Sequence, residues 1–221
     1  MFENILDENV KKSIEKAGKN LQKNNMQVFF ANKKSDVCEI IQKILSDKDV
    51  VSSGGSMSLK DAGVIDLLRS GRYNYLDREG KSDEETQQIY RETFSADAYF
   101  CSSNAVTENG ELYNVDGNAN RISAISFGPK SVIMVVGFNK IVPTLDDAIL
   151  RVKNFVAPEN CKRLGCETFC KEAGKCVKSA NSDMCGGCDS DARICCSYLV
   201  CSRQRIKNRI KIIIVGEKLG Y

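Results

Sequence analysis

The fold of this chain is most constrained by an alternation between two hydrophobic patterns. Apolar residues recur at helical spacing in five segments, which are 3–24, 34–47, 58–70, 82–95 and 144–156. Between them lie short apolar runs typical of buried strands, at 26–31, 49–56, 72–77, 97–102, 131–137 and 210–217. Helices that alternate with strands predict an α/β domain, layered around a largely parallel sheet that the helices flank.

The residue types present limit the chemistry that such a domain can perform. No His occurs among the 221 residues, which excludes His as a general base, as a metal ligand and as the partner of a Ser or Cys nucleophile. Acid–base chemistry would have to come from Asp, Glu, Lys, Tyr or Cys. A net charge of +3 gives no indication of nucleic-acid binding. The locally basic segment 203–211 is interpreted as a solvated turn before the last strand.

Two observations bear on the cellular location. The first 21 residues carry charges throughout and lack the apolar core of a signal peptide. The longest apolar run is far shorter than the roughly 20 residues that a membrane-spanning helix needs. We therefore expect a cytoplasmic protein that does not bind a membrane. In the cytoplasm, 11 cysteines indicate metal or redox chemistry rather than a disulfide scaffold.

A glycine-rich turn, SSGGSMSL at 52–59, joins a predicted strand to a predicted helix. Gly54 and Gly55 would let backbone N–H groups approach an anion, while Ser56 and Ser58 would add hydroxyl donors. The same residues could form a tight turn in which Ser58 is the N-cap of the helix. Both interpretations remain open from the sequence alone.

A polar insert at 102–121 separates two apolar runs. Asn109-Gly110 fits a type I′ hairpin turn, because both residues accept positive φ. That turn leaves several polar residues without an explanation: Asn104, Asn114, Asp116, Asn118, Asn120 and Arg121. Asx turns and helix caps could use some of them. We favour a ligand pocket lined by amide groups, a carboxylate and a guanidinium, because ligands of parallel sheets bind beyond the carboxyl ends of the strands.

Nine of the eleven cysteines lie in 161–201. We therefore divide the chain into an α/β domain, 1–160 with 205–221, and a cysteine-rich metal-binding segment, 161–204. Thiolates are soft ligands that suit Zn²⁺ or an iron–sulfur cluster. The pair Cys185/Cys188 has Cys-x-x-Cys spacing, but the other cysteines are irregularly spaced and no His accompanies them. This pattern favours an iron–sulfur cluster over zinc, which commonly takes two such pairs or pairs mixed with His.

The polar insert resembles the signature of the lactate-utilisation (LUD) domain family. Its matching residues are Ser102, Asn104, Ala105, Thr107, Glu108, Gly110, Asn114, Asp116, Gly117, Asn120 and Arg121. The Gly-Gly-Ser turn at 54–56, FGPK at 127–130, VGFNKIV at 136–142 and the ending RIKIIIVGEKLGY add to the resemblance. It implies a fold similar to ribose-5-phosphate isomerase, glucosamine-6-phosphate deaminase and the CoA transferases.

The resemblance also suggests functional residues. In many CoA transferases a Ser-Glu-Asn-Gly turn presents a carboxylate that attacks a thioester, and Thr107-Glu108-Asn109-Gly110 is similar to it. Glu108 is therefore a candidate catalytic residue, and the other candidate is Asp116, a carboxylate of the expected pocket that could move a proton. The candidate ligand-binding residues are Gly54, Gly55, Ser56, Ser58, Ser103, Asn104, Thr107, Asn114, Gly117, Asn118, Asn120, Arg121, Gly137, Asn139 and Lys140.

A cysteine-rich tail found in some LUD proteins also has counterparts here. Cys170, Cys176, Cys188 and Cys195 align with its cysteines, and Gly174, Ser190, Arg193 and Ile194 with its other positions. An insertion between Cys176 and Cys188 brings in Cys185, which could replace Cys176. The expected metal ligands are thus Cys170, Cys176, Cys185, Cys188 and Cys195, with an iron–sulfur cluster, 4Fe-4S in kind, as the expected cofactor and zinc as the alternative. Cys161, Cys166, Cys196 and Cys201 exceed the needs of one site.

Three functions remain open from the sequence. The chain could be an enzyme, isomerase- or transferase-like, that acts on an anionic hydroxy acid, oxo acid or phosphate. It could be an accessory iron–sulfur subunit that passes electrons to a flavin or iron–sulfur oxidoreductase in lactate oxidation. It could also be a metabolite-sensing module with structural zinc. A homodimer is compatible with all three.

Overall fold

The computed structural model describes residues 7–221, so the first residues of the helix predicted over 3–24 lie outside the described part. The described residues form ten strands: β1 (Gln27–Ala31), β2 (Val50–Ser53), β3 (Asn74–Leu76), β4 (Ala98–Cys101), β5 (Ala105–Thr107), β6 (Leu112–Asp116), β7 (Ser131–Gly137), β8 (Ile141–Val142), β9 (Ser197–Cys201) and β10 (Ile210–Val215). Six of them form a parallel sheet in the order β1-β10-β7-β4-β2-β3. The prediction of a largely parallel sheet is confirmed.

Helices cover the parallel sheet on both faces. They are α1 (Glu8–Lys23), α2 (Val37–Ile44), α3 (Met57–Asp61), α4 (Val64–Arg69), α5 (Asp83–Glu92), α6 (Asn120–Ser126), α7 (Leu145–Arg151), α8 (Ala157–Leu164) and α9 (Phe169–Ala173). Successive residues of β7 and β10 point to opposite faces. Met134 and Ile212 pack with α1 and α6 on one face, whereas Ile133 and Ile213 pack with α2 and α4 on the other. Burial on both faces explains why these strands are apolar without alternation.

A second sheet, in the order β8-β5-β6-β9, packs beside the first. β5 and β6 form an antiparallel hairpin, and β9 adds to the outer edge of β6. Its core joins Tyr113 to residues of α7, α8 and the π-helical turn Val152–Val156 that connects them. β9 belongs to the segment 161–204, so the last part of the cysteine-rich segment is paired to the α/β body.

The turn of the β5–β6 hairpin differs from the type I′ turn expected from Asn109-Gly110. A type I′ turn needs a positive φ at both residues, but only Gly110, with φ +85°, has one, and Asn109 does not. The N–H of Gly110 donates to the carbonyl of Thr107 at 3.0 Å, and the N–H of Thr107 donates to Glu111. These bonds define a three-residue loop in which a type I turn precedes a glycine in the left-handed region.

Several helix ends also differ from expectation. Ser56, and not Ser58, caps α3, because its Oγ accepts from the N–H of Leu59. The helix expected over 58–70 is divided into α3 and α4. The helix expected over 144–156 continues through the π-helical turn into α8, and α9 follows it. α5 begins with a capping box, since the side chains of Ser82 and Glu85 each accept from the other's backbone N–H.

The basic segment before β10 is more than a solvated turn. Arg209 is 8 % exposed, and its guanidinium donates to the carbonyl groups of Pro129, Ile125 and Ala124 at 3.0, 2.6 and 3.1 Å. Two of these carbonyls belong to the last turn of α6, which leaves carbonyls without helical partners. Arg209 therefore fastens the end of α6 to the start of β10. No helix within 7–221 combines the length and the apolar character needed to cross a membrane.

Candidate functional site

A crevice of about 400 Å³ opens at the carboxyl ends of the parallel strands. Its walls come from the loops that follow β2, β3, β4 and β7, and from the β6–α6 connection and the cysteine segment. Parallel strands end at the same edge of a sheet, which brings these loops together. The crevice thus lies where the polar insert was expected to form a ligand pocket, and the Gly-Gly-Ser turn also borders it.

The crevice wall is strongly cationic. Five basic side chains line it, Arg78, Arg121, Lys140, Arg163 and Arg193, against the single acidic side chain of Asp116. The backbone N–H groups of Gly55 and Ser56 form no hydrogen bond with any described residue. Such a wall favours a small anion because charge and unused donors both point to negative ligands.

Arg121 directs most of its hydrogen-bond donors to acceptors within the protein. Its Nη1 donates to Asn114 Oδ1 at 2.6 Å and to the Ser102 carbonyl, and its Nη2 donates to Asn104 Oδ1 at 2.9 Å and to the Val115 carbonyl. Asn104 Oδ1 also accepts from the N–H of Val115. These bonds fix the floor of the crevice. Arg121 is therefore a brace whose charge still faces the cavity.

Asp116 caps α6. Its Oδ2 accepts from the N–H groups of Arg121 and Ile122 at 2.9 and 3.2 Å, and its Oδ1 accepts from Gly117. The first N–H groups of a helix have no intrahelical acceptor, so the carboxylate supplies one. The side chains of Asn118 and Asn120 form no hydrogen bond within the described chain, and both line the crevice. They are free to contact a ligand.

Lys140 lies at the bottom of the crevice and is 5 % exposed. It ends a short 3₁₀ turn, Phe138–Lys140, directly after β7. Its Nζ lies 3.2 Å from Ser102 Oγ. Burial, together with the positive charges of Arg151 and Arg121, lowers the pKa of Lys140 to about 7.

The structure brings most of the predicted ligand residues together. Those that line the crevice are Gly54, Gly55, Ser56, Ser103, Asn104, Asp116, Gly117, Asn118, Asn120, Arg121 and Lys140. The Tyr99 hydroxyl approaches the backbone of Gly54 closely, and a Cβ at position 54 would lie only 2.7 Å from it.

The other predicted residues lie outside the crevice wall. Ser58 donates to the Leu219 carbonyl, and Asn139 bonds to the backbone of Leu219 and Gly220. Thr107 bonds to Glu111, while Asn114 is fully buried behind Arg121, where its Nδ2 has no hydrogen-bond partner within residues 7–221. Gly137 lies against the backbone of Leu219. These residues support the crevice from behind.

Glu108 is positioned against α1, away from the crevice. Its carboxylate accepts from Ser13 Oγ at 2.7 Å and from Lys16 Nζ at 2.8 Å, and its carbonyl accepts from Asn20. The bond and charge of Lys16, with the bond from Ser13, lower the pKa of Glu108. In this position the carboxylate ties the hairpin to the first helix.

The crevice also contains residues that the sequence did not indicate as ligand contacts. Arg78 and Tyr90 flank one side, with Arg78 Nη1 2.5 Å from the Tyr90 hydroxyl. Asn160, Arg163 and Tyr221 form a hydrogen-bonded group on the other. Arg78 follows β3, Tyr90 lies in α5, Asn160 and Arg163 lie in α8, and Tyr221 is the last residue. No local sequence motif identifies these residues as ligand contacts.

Five cysteines line a separate cavity of about 30 Å³ that is largely apolar: Cys161, Cys170, Cys176, Cys188 and Cys195. Cys185 lies outside its wall and is exposed. Cys161 and Cys170 stand side by side, with 3.6 Å between their Sγ atoms. Within residues 7–221, no three Cys, Asp or Glu side chains stand in metal-ligating geometry.

The chemistry of this cavity nevertheless suits a thiolate-bound metal. Burial and the neighbouring cysteines raise the pKa of Cys161 and of Cys195 to about 12. A bound cation reverses this effect, because it deprotonates coordinating thiols. Tetrahedral Zn–S bonds of about 2.3 Å put two sulfurs about 3.8 Å apart, close to the observed Cys161–Cys170 separation. The donor set therefore fits a metal.

The two cavities share a wall. Val152, Ala157, Arg193, Ile194 and Cys195 line both of them. Arg193 holds this wall in place, because its guanidinium donates to the carbonyl groups of Cys195, Cys188 and Cys185 at 2.9, 3.1 and 2.9 Å. The fold of the cysteine loop and the shape of the crevice are thus set by the same side chain.

Comparison with known proteins agrees with this architecture. A DUF162 family protein from Deinococcus radiodurans superposes with a TM-score of 0.54 at 15 % identity, over 94 % of this chain and 98 % of that one, which shows a shared fold. The eIF2B delta protein from Chaetomium thermophilum aligns over 50 % of this chain and 48 % of its own, at 17 % identity and a TM-score of 0.35. A search of curated proteins gave no match. The LUD domain model matches residues 14–215, and the chain therefore belongs to the LUD domain family.

Proposed function

We propose that this LUD-domain protein binds a small anionic metabolite in the crevice at the carboxyl edge of its parallel sheet. The observation that carries the proposal is the excess of positive charge in the wall, with four arginines and Lys140 around one carboxylate side chain. The cavity of about 400 Å³ lies within the range of about 300–1,000 Å³ typical of small-molecule sites. A hydroxy acid, an oxo acid or a phosphate would match the size and the charge.

The residues of the crevice have distinct roles in this proposal. Arg78 and Arg121 attract the anion, Asn118 and Asn120 orient it, and the N–H groups of the Gly-Gly-Ser turn contact it. If the bound anion reacts, Lys140 and Asp116 are crevice groups able to move a proton. Glu108 has no part in binding here, because it lies against α1.

The neighbouring cavity is proposed to hold a metal through Cys170, Cys176, Cys188 and Cys195. An iron–sulfur cluster remains the first candidate, and it would supply one-electron transfer when bound. Zinc is the alternative, with Cys161 and Cys170 among its ligands, because their Sγ separation of 3.6 Å suits two thiolates on one ion. Zinc would have a structural role and would leave the crevice as a sensing or catalytic site.

A second function follows from the wall that the two cavities share. If the metal is an iron–sulfur cluster, an anion in the crevice binds on the other side of Cys195 and Arg193. This proximity supports the role of an accessory electron-transfer subunit, which would act with a flavin or iron–sulfur oxidoreductase. The family name points to lactate as the metabolite whose oxidation this serves.

Thermal unfolding with added lactate, pyruvate or inorganic phosphate tests anion binding. At 100 times the Kd, a ligand stabilises the folded state by about 2.7 kcal/mol. Arg78→Ala should abolish this stabilisation without changing the melting temperature of the free protein by more than a few degrees. Arg72→Ala is the matched control, because Arg72 also stacks over a tyrosine but lies outside the crevice. Equal loss of binding in both variants would contradict the proposal.

The metal proposal is tested by anaerobic purification, metal analysis and a visible spectrum. A brown protein with iron and sulfide in equal amounts supports the cluster and the electron-transfer role. A colourless protein that contains one zinc per chain removes the electron-transfer role and leaves anion binding untouched. Protein without either metal, purified from cells supplied with both, would overturn metal binding.

A further inference from the structure

Lys140 is a buried lysine whose ammonium form has little to stabilise it. Its Nζ has one polar contact among the described residues, the hydroxyl of Ser102 at 3.2 Å, and it forms no ion pair there. Burial of an unpaired charge is costly, so folded proteins seldom retain such a group without a use. The other buried lysine, Lys153, differs because its Nζ donates to the Lys178 carbonyl and so anchors the cysteine loop.

The groups around Lys140 favour its neutral amine. The positive charges of Arg151 and Arg121 lower the pKa of Lys140. The carboxylate of Asp61 raises it, but by less. Burial acts in the same direction, with the result that the pKa of Lys140 falls to about 7. A substantial fraction of the side chain is therefore a free amine at neutral pH. A free amine is a nucleophile, whereas an ammonium group is not.

The amine also faces the ligand space. Lys140 lines the crevice, between the loops that follow β4 and β7, and the cationic wall would hold the carboxylate of a ligand beside it. Lys140 is therefore next to the functional group that such a ligand carries on its neighbouring carbon. For an oxo acid that group is a carbonyl, and amines react with carbonyls.

We propose that Lys140 forms a Schiff base with the carbonyl carbon of an oxo acid bound in the crevice. This inference rests on the proposed function, and it narrows the anion to a carboxylate that carries a ketone or an aldehyde. It also explains why a lysine, rather than a further arginine, occupies the bottom of the crevice.

The step balances without an oxidant or a second reactant. The Nζ lone pair attacks the carbonyl carbon, a C–N bond forms, and one N–H proton passes to the carbonyl oxygen to give a carbinolamine. The second N–H proton passes to that hydroxyl, which leaves as water, so the C–O bond breaks and a C=N bond to Lys140 remains. The Ser102 hydroxyl, 3.2 Å from Nζ, is placed to relay the proton from nitrogen to the departing oxygen.

Reductive trapping tests the inference on the full chain. The protein is incubated with pyruvate or with glyoxylate and sodium cyanoborohydride, and the modified lysines are located by peptide mass spectrometry. We expect one modified residue, Lys140, with no modification by lactate, which has no carbonyl to react. Lys140→Arg should lose the adduct, and Lys153→Arg should keep it. Adducts spread over surface lysines, or no adduct at Lys140, would overturn the inference.

A parallel measurement separates this inference from the anion site itself. Thermal unfolding is recorded with pyruvate, glyoxylate, lactate and inorganic phosphate in the absence of reductant. Stabilisation by pyruvate or glyoxylate without trapping at Lys140 refutes the Schiff base and leaves the anion site standing. Absence of stabilisation by all four anions refutes the anion site and the Schiff base together. Circular dichroism of Lys140→Arg confirms that a lost adduct does not reflect a lost fold.

Discussion

Arg121 Nη2 donates a hydrogen bond of 2.9 Å to Asn104 Oδ1 and so joins the first turn of α6 to the loop after β4. The same amide oxygen accepts from the N–H of Val115 at 2.8 Å. The polar density of the insert is therefore partly architectural. Its residues brace one another and leave Asn118 and Asn120 facing the crevice.

This bracing predicts a stability defect in Asn104→Ala. The substitution leaves the Val115 N–H and one Arg121 donor without an acceptor, which costs about 1–3 kcal/mol of unfolding free energy. Urea denaturation measures the change. Asn118→Ala, an exposed neighbour without hydrogen bonds to described residues, should alter stability by less than about 0.5 kcal/mol. Similar losses of unfolding free energy in both variants would show that the hydrogen bonds to Asn104 do not stabilise the fold.

Substitutions of Asp116 and Asn120 should affect different properties, the stability of the free protein and the binding of the ligand respectively. Asp116→Ala removes the cap of α6 and should destabilise the protein by about 1 kcal/mol. Asn120→Ala should leave stability within about 0.5 kcal/mol of wild type and weaken ligand-induced stabilisation. Thermal unfolding with and without the stabilising anion separates the two effects. A large loss of stability in Asn120→Ala would make that residue structural.

Glu108→Gln tests whether that carboxylate stabilises the fold. The pKa of Glu108 is lowered by Lys16 and Ser13, so its contribution is present above the unfolded-state pKa of about 4.3 and is lost as pH falls through the folded-state value. We expect the variant to be about 1 kcal/mol less stable at pH 7, and equally stable at the acid end of the titration. Anion binding should not change. A variant that folds normally but no longer binds anions would place Glu108 in the site.

Lys140→Met should increase stability while abolishing Schiff-base trapping. The folded pKa of Lys140, about 7, lies below the usual lysine value of 10.5, so the unfolded chain binds the extra proton between these values. Wild type therefore gains stability relative to the variant as pH rises from about 7 to about 10.5. The advantage of Lys140→Met should be largest at or below neutral pH, and should shrink in alkali. A constant difference across this range would mean that Lys140 is charged in the fold.

Metal content should depend on the cysteines that line the small cavity. Cys170→Ser combined with Cys195→Ser should abolish binding, because both thiols face that cavity. Cys185→Ser should retain the metal, since Cys185 lies outside the wall, although the sequence suggested it as a ligand. Metal analysis per chain decides between these outcomes. Full occupancy in the double variant would refute the assignment.

The parallel sheet could be predicted because its strands are apolar on both faces and its helices have a clear period. The second sheet could not, since β5 has three residues and β8 has two, too few to show a period. The crevice position followed from the parallel topology. Arg78 and Arg163 enter it from places that no local pattern connects, and Cys161 meets Cys170 only through the fold of α8 and α9. Long-range contacts of this kind are invisible to spacing arguments.

The place of β10 gives the cysteine segment a part in the biogenesis of the sheet. β10 lies between β1 and β7, so β1 joins the rest of the sheet through β10 alone. The ribosome synthesises β10 after the cysteine segment, so β1 cannot pair with β10 until that segment has been synthesised. A metal held by Cys170 and Cys195 would shorten the free loop before β10 and lower the entropy lost on insertion. If the proposed metal is bound there, its supply during translation would raise the yield of folded chains, independently of any reaction in the crevice.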